Sequence, residues 1–317
     1  MADHTGIQWT DATWNPVTGC TKVSSGCKNC YAKHQTWPRL SAMPNTIYTG
    51  RDFEQVQCHR ERLDQPYHWK KPRRIFVNSM SDLFHDDVPE SFVQAVFTTM
   101  ATARQHQFQV LTKRPQRMLA LLQRWKRNGA TLRSGHGVTL PNVWLGVSIE
   151  DQETADERIP LLLKTPAFMP WVSAEPLLGP VDITPYLSPL DESALKWVVV
   201  GGESGPNARP MHPDWVKGLR DQCAKERIPF FFKQWGSWSP RSACYHTLTC
   251  GQAAADIDPD ATRWPCIRLT FAGNDGQQLG NADDGDDVYM QKVGRNLSGR
   301  ALQGVTYDQY PTWSTSK

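Results

Sequence analysis

Three cysteines near the start of the 317-residue chain form its strongest local pattern for chemistry. Cys20, Cys27 and Cys30 have C-x6-C-x2-C spacing. Three thiolates on one loop can ligate three irons of a [4Fe-4S] cluster and leave the fourth iron open for a substrate or cofactor. Structural zinc is an alternative, because His34 follows Cys30 by four residues and could be the fourth ligand. Cysteines that bind no metal are the third interpretation of this spacing.

Whether the chain lies in a reducing or an oxidising compartment determines how its thiols are interpreted. No apolar run reaches the roughly 18 residues of a membrane span, and the first 14 residues lack the basic-then-apolar order of a signal peptide. We therefore expect a cytoplasmic chain with no membrane contact. Cytosolic thiols are kept reduced, and clustered cysteines there more often hold metal or react than form disulfides.

The remaining five cysteines are scattered along the chain: Cys58, Cys223, Cys244, Cys250 and Cys266. The last three could ligate an auxiliary cluster together with Cys223, but that spacing matches no established pattern. Free or core thiols are the favoured interpretation.

Six short β-branched or aromatic runs predict the elements that position these residues. The runs begin at Arg74, Phe108, Val143, Phe168, Trp197 and Pro229. They start 25 to 35 residues apart, and a polar cluster and a segment with helical spacing follow most of them. Continuous apolar runs are typical of strands buried on both faces of a parallel sheet. We predict an α/β fold, a parallel partial TIM-like barrel of about six βα units with an extra strand near Gly6 to Trp9. An open doubly wound sheet is the alternative.

Polar clusters at the ends of these runs predict an active site. In parallel barrels the site lies where strands end and the following loops begin. The clusters are Asn78–Asp82, Thr112–Arg114, Ser148–Glu150, Ser173–Glu175, Gly201–Ser204 and Lys233–Trp235. Because six consecutive strand ends carry functional groups, we expect a site at this rim.

Charge is unevenly distributed along a chain whose net charge is only +3. No acidic residue lies between Glu90 and Glu150, a stretch with eight basic residues: Arg104, Lys113, Arg114, Arg117, Arg124, Lys126, Arg127 and Arg133. Such a stretch would attract a polyanion, although a solvated helix face is the alternative. Acidic residues instead crowd positions 256–287, which indicates exposed loops. We predict a barrel domain over residues 1–238 and a loop-rich acidic insert with a C-terminal extension over residues 239–317.

A set of ordered motifs resembles a known family, the phage-associated three-cysteine-motif proteins, which look like divergent radical S-adenosylmethionine (SAM) enzymes. The motifs are Trp14–Cys20, Gly26–Tyr31, Ser81–Phe84, Leu111–Pro115, Leu145–Glu150, Glu175–Leu178, Gly201–Gly205, Phe231–Gly236, Val293–Arg300 and Leu302–Gly304. The cysteine spacing departs from the common C-x3-C-x2-C pattern. Three extra loop residues cost little closure entropy, so the same three-thiolate geometry stays accessible.

The resemblance implies a [4Fe-4S] cluster on Cys20, Cys27 and Cys30 whose open iron chelates SAM, and a 5′-deoxyadenosyl radical that abstracts hydrogen from the substrate. For SAM, it implies binding by residues at the earlier strand ends: Asn78, Ser81 and Asp82 at the amino group, Lys113 or Arg114 at the carboxylate, and Ser148, Glu150 and Glu175 at the ribose or nearby groups. For the substrate, it implies catalytic residues on the last strands: Glu203, Lys233, Gln234 and Trp235.

The resulting functional hypothesis is a radical SAM enzyme, of isomerase or lyase type, that acts on a nucleobase or nucleotide. Radical rearrangement of a modified thymidine in phage DNA, in the host cytoplasm and with an external one-electron reductant, is its most specific form. Two alternatives are a DNA-lesion lyase of the spore-photoproduct kind and a zinc-stabilised nucleic-acid-binding accessory protein without catalysis. The sequence leaves the oligomeric state open.

Overall fold

The fold is described by a computed structural model that covers residues 5–129, 137–191, 193–240, 266–269 and 288–312. Among these residues, no helix has the length and apolar character needed to cross a membrane. Cys244, Cys250, Arg133 and most of the acidic segment at 256–287 lie outside the described residues, as does the side chain of Cys266. The auxiliary-cluster hypothesis therefore stays a prediction.

Seven parallel strands form one curled sheet, a half-barrel. The strands are β1 (Ala12–Trp14), β2 (Arg74–Val77), β3 (Gln107–Thr112), β4 (Val143–Ile149), β5 (Met169–Ala174), β6 (Trp197–Gly201) and β7 (Phe230–Gln234). They lie side by side in chain order. A doubly wound sheet would reverse its order at a switch point, and this sheet has no reversal. The predicted partial barrel is confirmed, and the doubly wound alternative is wrong.

The first strand lies later in the chain than predicted. Residues 6–9 form no strand; instead Ala12–Trp14 pairs with Ile75–Val77. Trp9 places its indole in the barrel interior, with its ring centroid 4.7 Å from that of Phe76. The segment is apolar because it buries this large ring, although it does not belong to the sheet. Its composition is therefore similar to that of a strand.

Four helices cover the outer face of the sheet: α1 (Glu90–Thr102), α2 (Pro115–Arg127), α3 (Gln152–Leu163) and α4 (Pro213–Lys225). Proline is favourable in the first turn, where no intrahelical partner awaits its missing N–H. Pro115 and Pro213 begin α2 and α4, whereas Pro89 is the N-cap of α1. In α3 the cap is Asp151, which exchanges hydrogen bonds with Thr154. The helices' buried residues join the outer strand residues in one large core.

The inner face of the sheet changes from aromatic to polar along the strands. Successive strand residues point to opposite faces, so Trp171 and Ser173 of β5 share the interior with their neighbours Gly146 and Ser148 of β4. The aromatic residues form a second core, with Trp9, Phe76, Trp144, Trp171, Trp197 and Phe231 buried together. Branched aliphatic residues usually fill such interiors. Here the rings form a floor, and polar side chains lie above it.

The segment between β1 and β2 forms only short elements. They are a two-strand ladder of Val17–Thr18 with Gln57–Cys58, a 3-10 turn at Ser25–Cys27, a π-helical turn at Ala32–Thr36, and single turns at Trp37–Ser41, Arg60–Arg62 and Gln65–His68. This segment contains the three motif cysteines. A further turn, Thr184–Tyr186, follows β5.

The C-terminal segment returns to the barrel. Trp238–Pro240, Cys266–Leu269 and Val288–Lys292 form an antiparallel sheet, followed by a turn of helix at Arg295–Ser298 and a hairpin of Ala301–Leu302 with Val305–Thr306. The chain then runs along β7, where the Phe232 N–H donates to the Tyr307 carbonyl at 2.9 Å. The domain boundary at residue 238 stays a prediction.

Gly146→Ala should destabilise the protein by about 1–3 kcal/mol, because overpacking of a closed core carries that cost. A Cβ at this position would lie 2.5 Å from the Trp171 indole, which is fully buried. Denaturant unfolding measures the change.

The matched control is Gly218→Ala in α4, where an added Cβ meets nothing within 4 Å. Alanine is the better helix former, so this variant should gain about 0.5–1 kcal/mol. Equal effects of the two substitutions would contradict the packing account.

Candidate functional site

A cavity of about 290 Å³ lies between the carboxyl ends of the strands and the cysteine loop, which we define as residues 19–36. Cys20, Cys27 and Cys30 all line it. Trp9 and Phe76 of the aromatic core also line it. The predicted rim and the predicted cysteine motif therefore meet in one place.

All three motif cysteines are free thiols. Burial raises the pKa of Cys20 to about 12 and also raises the pKa of Cys30. These two thiols are therefore neutral at pH 7 until a metal or cluster displaces their protons.

The arrangement of these thiols distinguishes two kinds of metal site. A single zinc ion holds its sulfur ligands at about 2.3 Å, which brings them together. Within the described part of the chain, no group of three or more His, Cys, Asp or Glu side chains is arranged to hold one metal ion. His34 is exposed and does not line the cavity. A [4Fe-4S] cluster binds each thiolate to a different iron, so three cysteines can hold it without a fourth protein ligand. The donor set fits a three-cysteine cluster better than zinc.

Arg114 attaches the beginning of the cysteine loop to the end of β3. Its guanidinium lies 3.6 Å from the Cys20 sulfur and donates to the carbonyl and the hydroxyl of Thr21, both at 3.0 Å. It also donates to Asp82 at 3.2 Å. The positive charge beside Cys20 would stabilise a thiolate there.

Asp82 uses its carboxylate to hold the protein. It accepts hydrogen bonds from the Thr112 hydroxyl at 2.8 Å, from the backbone N–H groups of Phe84 and Lys113, and from Arg114. It lines the cavity, but four protein donors already occupy its oxygens. Asp82 thus positions Arg114.

His85 supports the same loop as a neutral ring. Its Nδ1 accepts the Asp87 N–H at 3.1 Å, so Nε2 carries the proton and donates to the Thr21 hydroxyl at 2.8 Å. Burial lowers the pKa of His85, which keeps the ring neutral at pH 7.

Glu150 is the second attachment point. Its fully buried carboxylate pairs with Lys113 and with Arg158, the latter at 3.2 Å, and accepts the Ser24 hydroxyl at 3.1 Å. Gly26 packs against it so closely that an added Cβ would lie 2.4 Å from the Glu150 side chain. This carboxylate is therefore an anchor beneath the loop, and it is not among the residues that line the cavity.

Glu203 is the third attachment point. It accepts the Asn29 amide at 2.9 Å, and Arg209 donates to it from the backbone and from the guanidinium. Arg209 also donates to the Ser25 carbonyl at 3.0 Å. These hydrogen bonds lower the pKa of Glu203 despite burial, so the carboxylate is charged. Asn29 lies between two motif cysteines, which makes Glu203 a residue that orients them.

Several polar atoms of residues that line the cavity are buried and have no partner in the described part of the chain. They are the Nδ2 of Asn78, the Oγ of Ser173, the Oγ of Ser204 and the Nε1 of Trp9. Leaving such atoms unpaired costs about 1–3 kcal/mol each. A polar ligand in the cavity would satisfy them.

The remaining predicted residues differ in their access to the cavity. Ser148 and the Lys233–Glu175 ion pair line it. Ser81 also lines it but donates to the Val17 carbonyl at 2.7 Å. Gln234 donates to the Gly202 carbonyl and accepts a hydrogen bond from the Gly236 N–H. Trp235 does not line the cavity; it packs against Phe232 and donates to the Ala301 carbonyl.

Several residues of the site escaped sequence reasoning: Thr21, Ser24, Asn29, Arg158, Ser173, Arg209 and Arg295. Ser173 belongs to the predicted strand-end cluster Ser173–Glu175 but was assigned no role, although it lies two residues before Glu175 on the inward-facing side of β5. Thr21, Ser24 and Asn29 contact barrel residues distant in sequence, whereas Arg158 and Arg209 lie only eight and six positions from their partners Glu150 and Glu203.

The basic residues between Glu90 and Glu150, a segment without acidic residues, lie partly at the cavity and partly on the outer surface. Lys113 and Arg114 are paired inside, Arg117 donates to the carbonyls of His85 and Val88, and Arg124 pairs with Glu90. Since α2 runs back along the barrel, its last turn, with Lys126 and Arg127, lies at the opposite end from the cavity. A continuous basic surface around the site is therefore not formed by these residues.

Comparisons with known proteins give a family and a general likeness. A family model described as "Protein of unknown function (DUF5131)" matches residues 4–311. No curated protein matches the sequence. Among solved structures, a cysteine-to-serine mutant of spore photoproduct lyase is similar at 12% identity with a TM-score of 0.40, covering 68% of this chain and 62% of that chain. A double mutant of the lyase with bound AdoMet and dinucleoside spore photoproduct gives a TM-score of 0.39 over the same shares. The chain thus spans less than two thirds of the lyase.

Glu150→Gln should destabilise the fold by about 3 kcal/mol, because it removes the buried countercharge of Lys113 and Arg158 and leaves Arg158 only the exposed Glu157 at 3.9 Å. Chemical denaturation measures the loss. Glu54→Gln is the control, since Glu54 pairs with Lys33 on the surface and such pairs contribute about 1 kcal/mol or less. Similar losses in both variants would disprove the anchoring role of Glu150.

Proposed function

The chain belongs to the family described as Protein of unknown function (DUF5131), and from its site we propose that it is a radical SAM enzyme. One observation carries the proposal. Three free cysteines lie on one cavity at the rim of a parallel half-barrel, among buried polar atoms that have no partner. Cys20, Cys27 and Cys30 would hold a [4Fe-4S] cluster, and the cavity beside them would hold SAM.

The donor set suits both groups. Three cysteines leave one iron of a cluster without a protein ligand. SAM carries a carboxylate, an amino group and ribose hydroxyls, and the free atoms of Asn78, Ser173 and Ser204 can donate or accept hydrogen bonds to such groups. When bound, the cluster supplies the electron that cleaves SAM to methionine and a 5′-deoxyadenosyl radical, which takes hydrogen from the substrate.

The chain's own residues orient and shield this chemistry. Arg114, Glu150 and Glu203 hold the loop at three points, so the thiols have defined positions. Below the cavity, Trp9 and Phe76 close the interior and exclude water, which prevents side reactions of a radical. Lys233 and Glu175 form a charged pair on the later strands, where they would meet the substrate.

The proposal also includes a substrate class and a reaction type. A nucleobase or nucleotide suits the cationic residues of the cavity. Radical rearrangement of a modified thymidine in phage DNA, with an external one-electron reductant, rests on the resemblance to the phage-associated family. No observation in the site favours the zinc-stabilised accessory protein.

Anaerobically purified protein should be brown and contain about four irons per chain, as one [4Fe-4S] cluster requires. Ala in place of Cys20, Cys27 or Cys30 should abolish the absorption and the iron. Iron, sulfide and zinc analysis measures the outcome.

Cys58→Ala is the control for these variants, because Cys58 is a free, partly buried thiol that does not line the cavity. It should retain its iron. Stoichiometric zinc with no visible absorption after iron and sulfide reconstitution would refute the cluster.

Ser173→Ala should weaken SAM binding about tenfold, the effect of losing one or two hydrogen bonds. Stability of the empty protein should not fall, because the hydroxyl has no partner there. Anaerobic calorimetric titration measures SAM affinity, and Ser91→Ala on the exposed start of α1 is the control. Unchanged affinity in Ser173→Ala would remove this residue from the SAM site.

A further inference from the structure

We propose that Arg295 binds the phosphate group of a nucleotide in the cavity and that the ring of Tyr31 stacks on its base. The inference rests on the proposed function, since it assumes that a substrate enters this cavity. Neither residue was a candidate on sequence grounds.

The charges of the cavity identify Arg295. Four cationic side chains line it, namely Lys113, Arg114, Lys233 and Arg295. The first three are paired with Glu150, Asp82 and Glu175. Arg295 has no carboxylate partner among residues 5–129, 137–191, 193–240, 266–269 and 288–312. No carboxylate of the described residues compensates its positive charge, which can therefore attract an incoming anion.

The backbone that carries Arg295 is firmly positioned. Two glycines with positive φ, Gly294 at 82° and Gly299 at 74°, bound its helical turn. The Gly294 N–H donates to the Ser237 carbonyl at 2.9 Å, and the buried Ser298 hydroxyl donates to the Gly236 carbonyl at 2.7 Å. One guanidinium nitrogen of Arg295 donates to the Gly6 carbonyl at 3.2 Å. That bond orients the group and leaves other N–H donors for a phosphate, whose oxygens match the guanidinium fork.

Tyr31 supplies a flat face in the same cavity. Its hydroxyl donates to the Ser79 carbonyl at 2.8 Å, which fixes the ring. The side chain nevertheless keeps 43% of its surface exposed. An oriented, half-exposed ring is suited to stacking on a planar base, and bases of any kind present a π face.

A single nucleotide fits these observations better than a long duplex. Duplex binding uses many phosphate contacts, each with a basic residue. Among the described residues, one guanidinium without a carboxylate partner lines the cavity, whereas the basic residues at the end of α2 lie at the opposite end of the barrel.

Calorimetric titrations with thymidine 5′-monophosphate and with thymidine test the proposal on the full chain, both loaded with cluster and SAM and free of iron. The wild-type chain should bind the monophosphate at least tenfold more tightly than thymidine. Arg295→Ala should remove that difference and leave thymidine binding unchanged. Tyr31→Leu should weaken both ligands by a similar factor, about tenfold.

The control variants are Arg127→Ala, an exposed arginine of α2, and Tyr67→Leu, whose side chain is 44% exposed. Neither should change binding. Equal affinity of the wild-type chain for the two ligands, binding of neither, or full monophosphate affinity in Arg295→Ala would overturn the proposal. Iron analysis of the same samples separates the two ideas. A chain that binds no iron but shows the Arg295 effect contradicts the radical SAM assignment and supports the phosphate site.

Discussion

The attachment of the cysteine loop to the barrel by buried charges is the interaction on which the site depends. The loop contains only short turns, so its own hydrogen bonds cannot fix the positions of three thiols. Arg114, Glu150 and Glu203 come from three different strand ends and hold Thr21, Ser24 and Asn29. Hydrogen bonds to charged groups contribute about 1.5–3 kcal/mol each, more than those between neutral groups. The barrel thereby imposes its rigidity on a segment that lacks regular structure.

This attachment also explains why the acidic residues near the cavity have different roles. Carboxylates at Asp82, Glu150 and Glu203 are occupied by protein donors, whereas the Glu175–Lys233 pair and the free atoms of Ser173 and Asn78 face the cavity. Asp82, Glu150 and Glu203 maintain the geometry of the loop, and other groups that line the cavity remain to meet a ligand.

The fold was largely predictable from the sequence, and the roles of single residues were not. Runs such as Trp197–Gly201 are buried on both faces and therefore entirely apolar, which makes them recognisable without any contact information. The predicted strand at residues 6–9 was wrong because burial of Trp9 inside the barrel and burial within a sheet leave the same composition. Glu203 and Asp82 were predicted at the correct end of the barrel, but Asp82 was assigned to SAM and Glu203 to the substrate. Their partners are set by tertiary folding, and the Asn29–Glu203 bond joins residues 174 positions apart.

The two ends of the described chain meet beneath the aromatic floor. Tyr310 packs on Trp197 with 5.4 Å between ring centroids, and its hydroxyl donates to the Gln8 carbonyl across 302 positions. Contacts of such sequence separation form slowly, because the loop that joins them must first be closed. During synthesis the strands and the cysteine loop emerge long before residue 310 does. The interior beneath the cavity is thus closed after the strands have formed, and the mature floor exists only once residue 310 has left the ribosome.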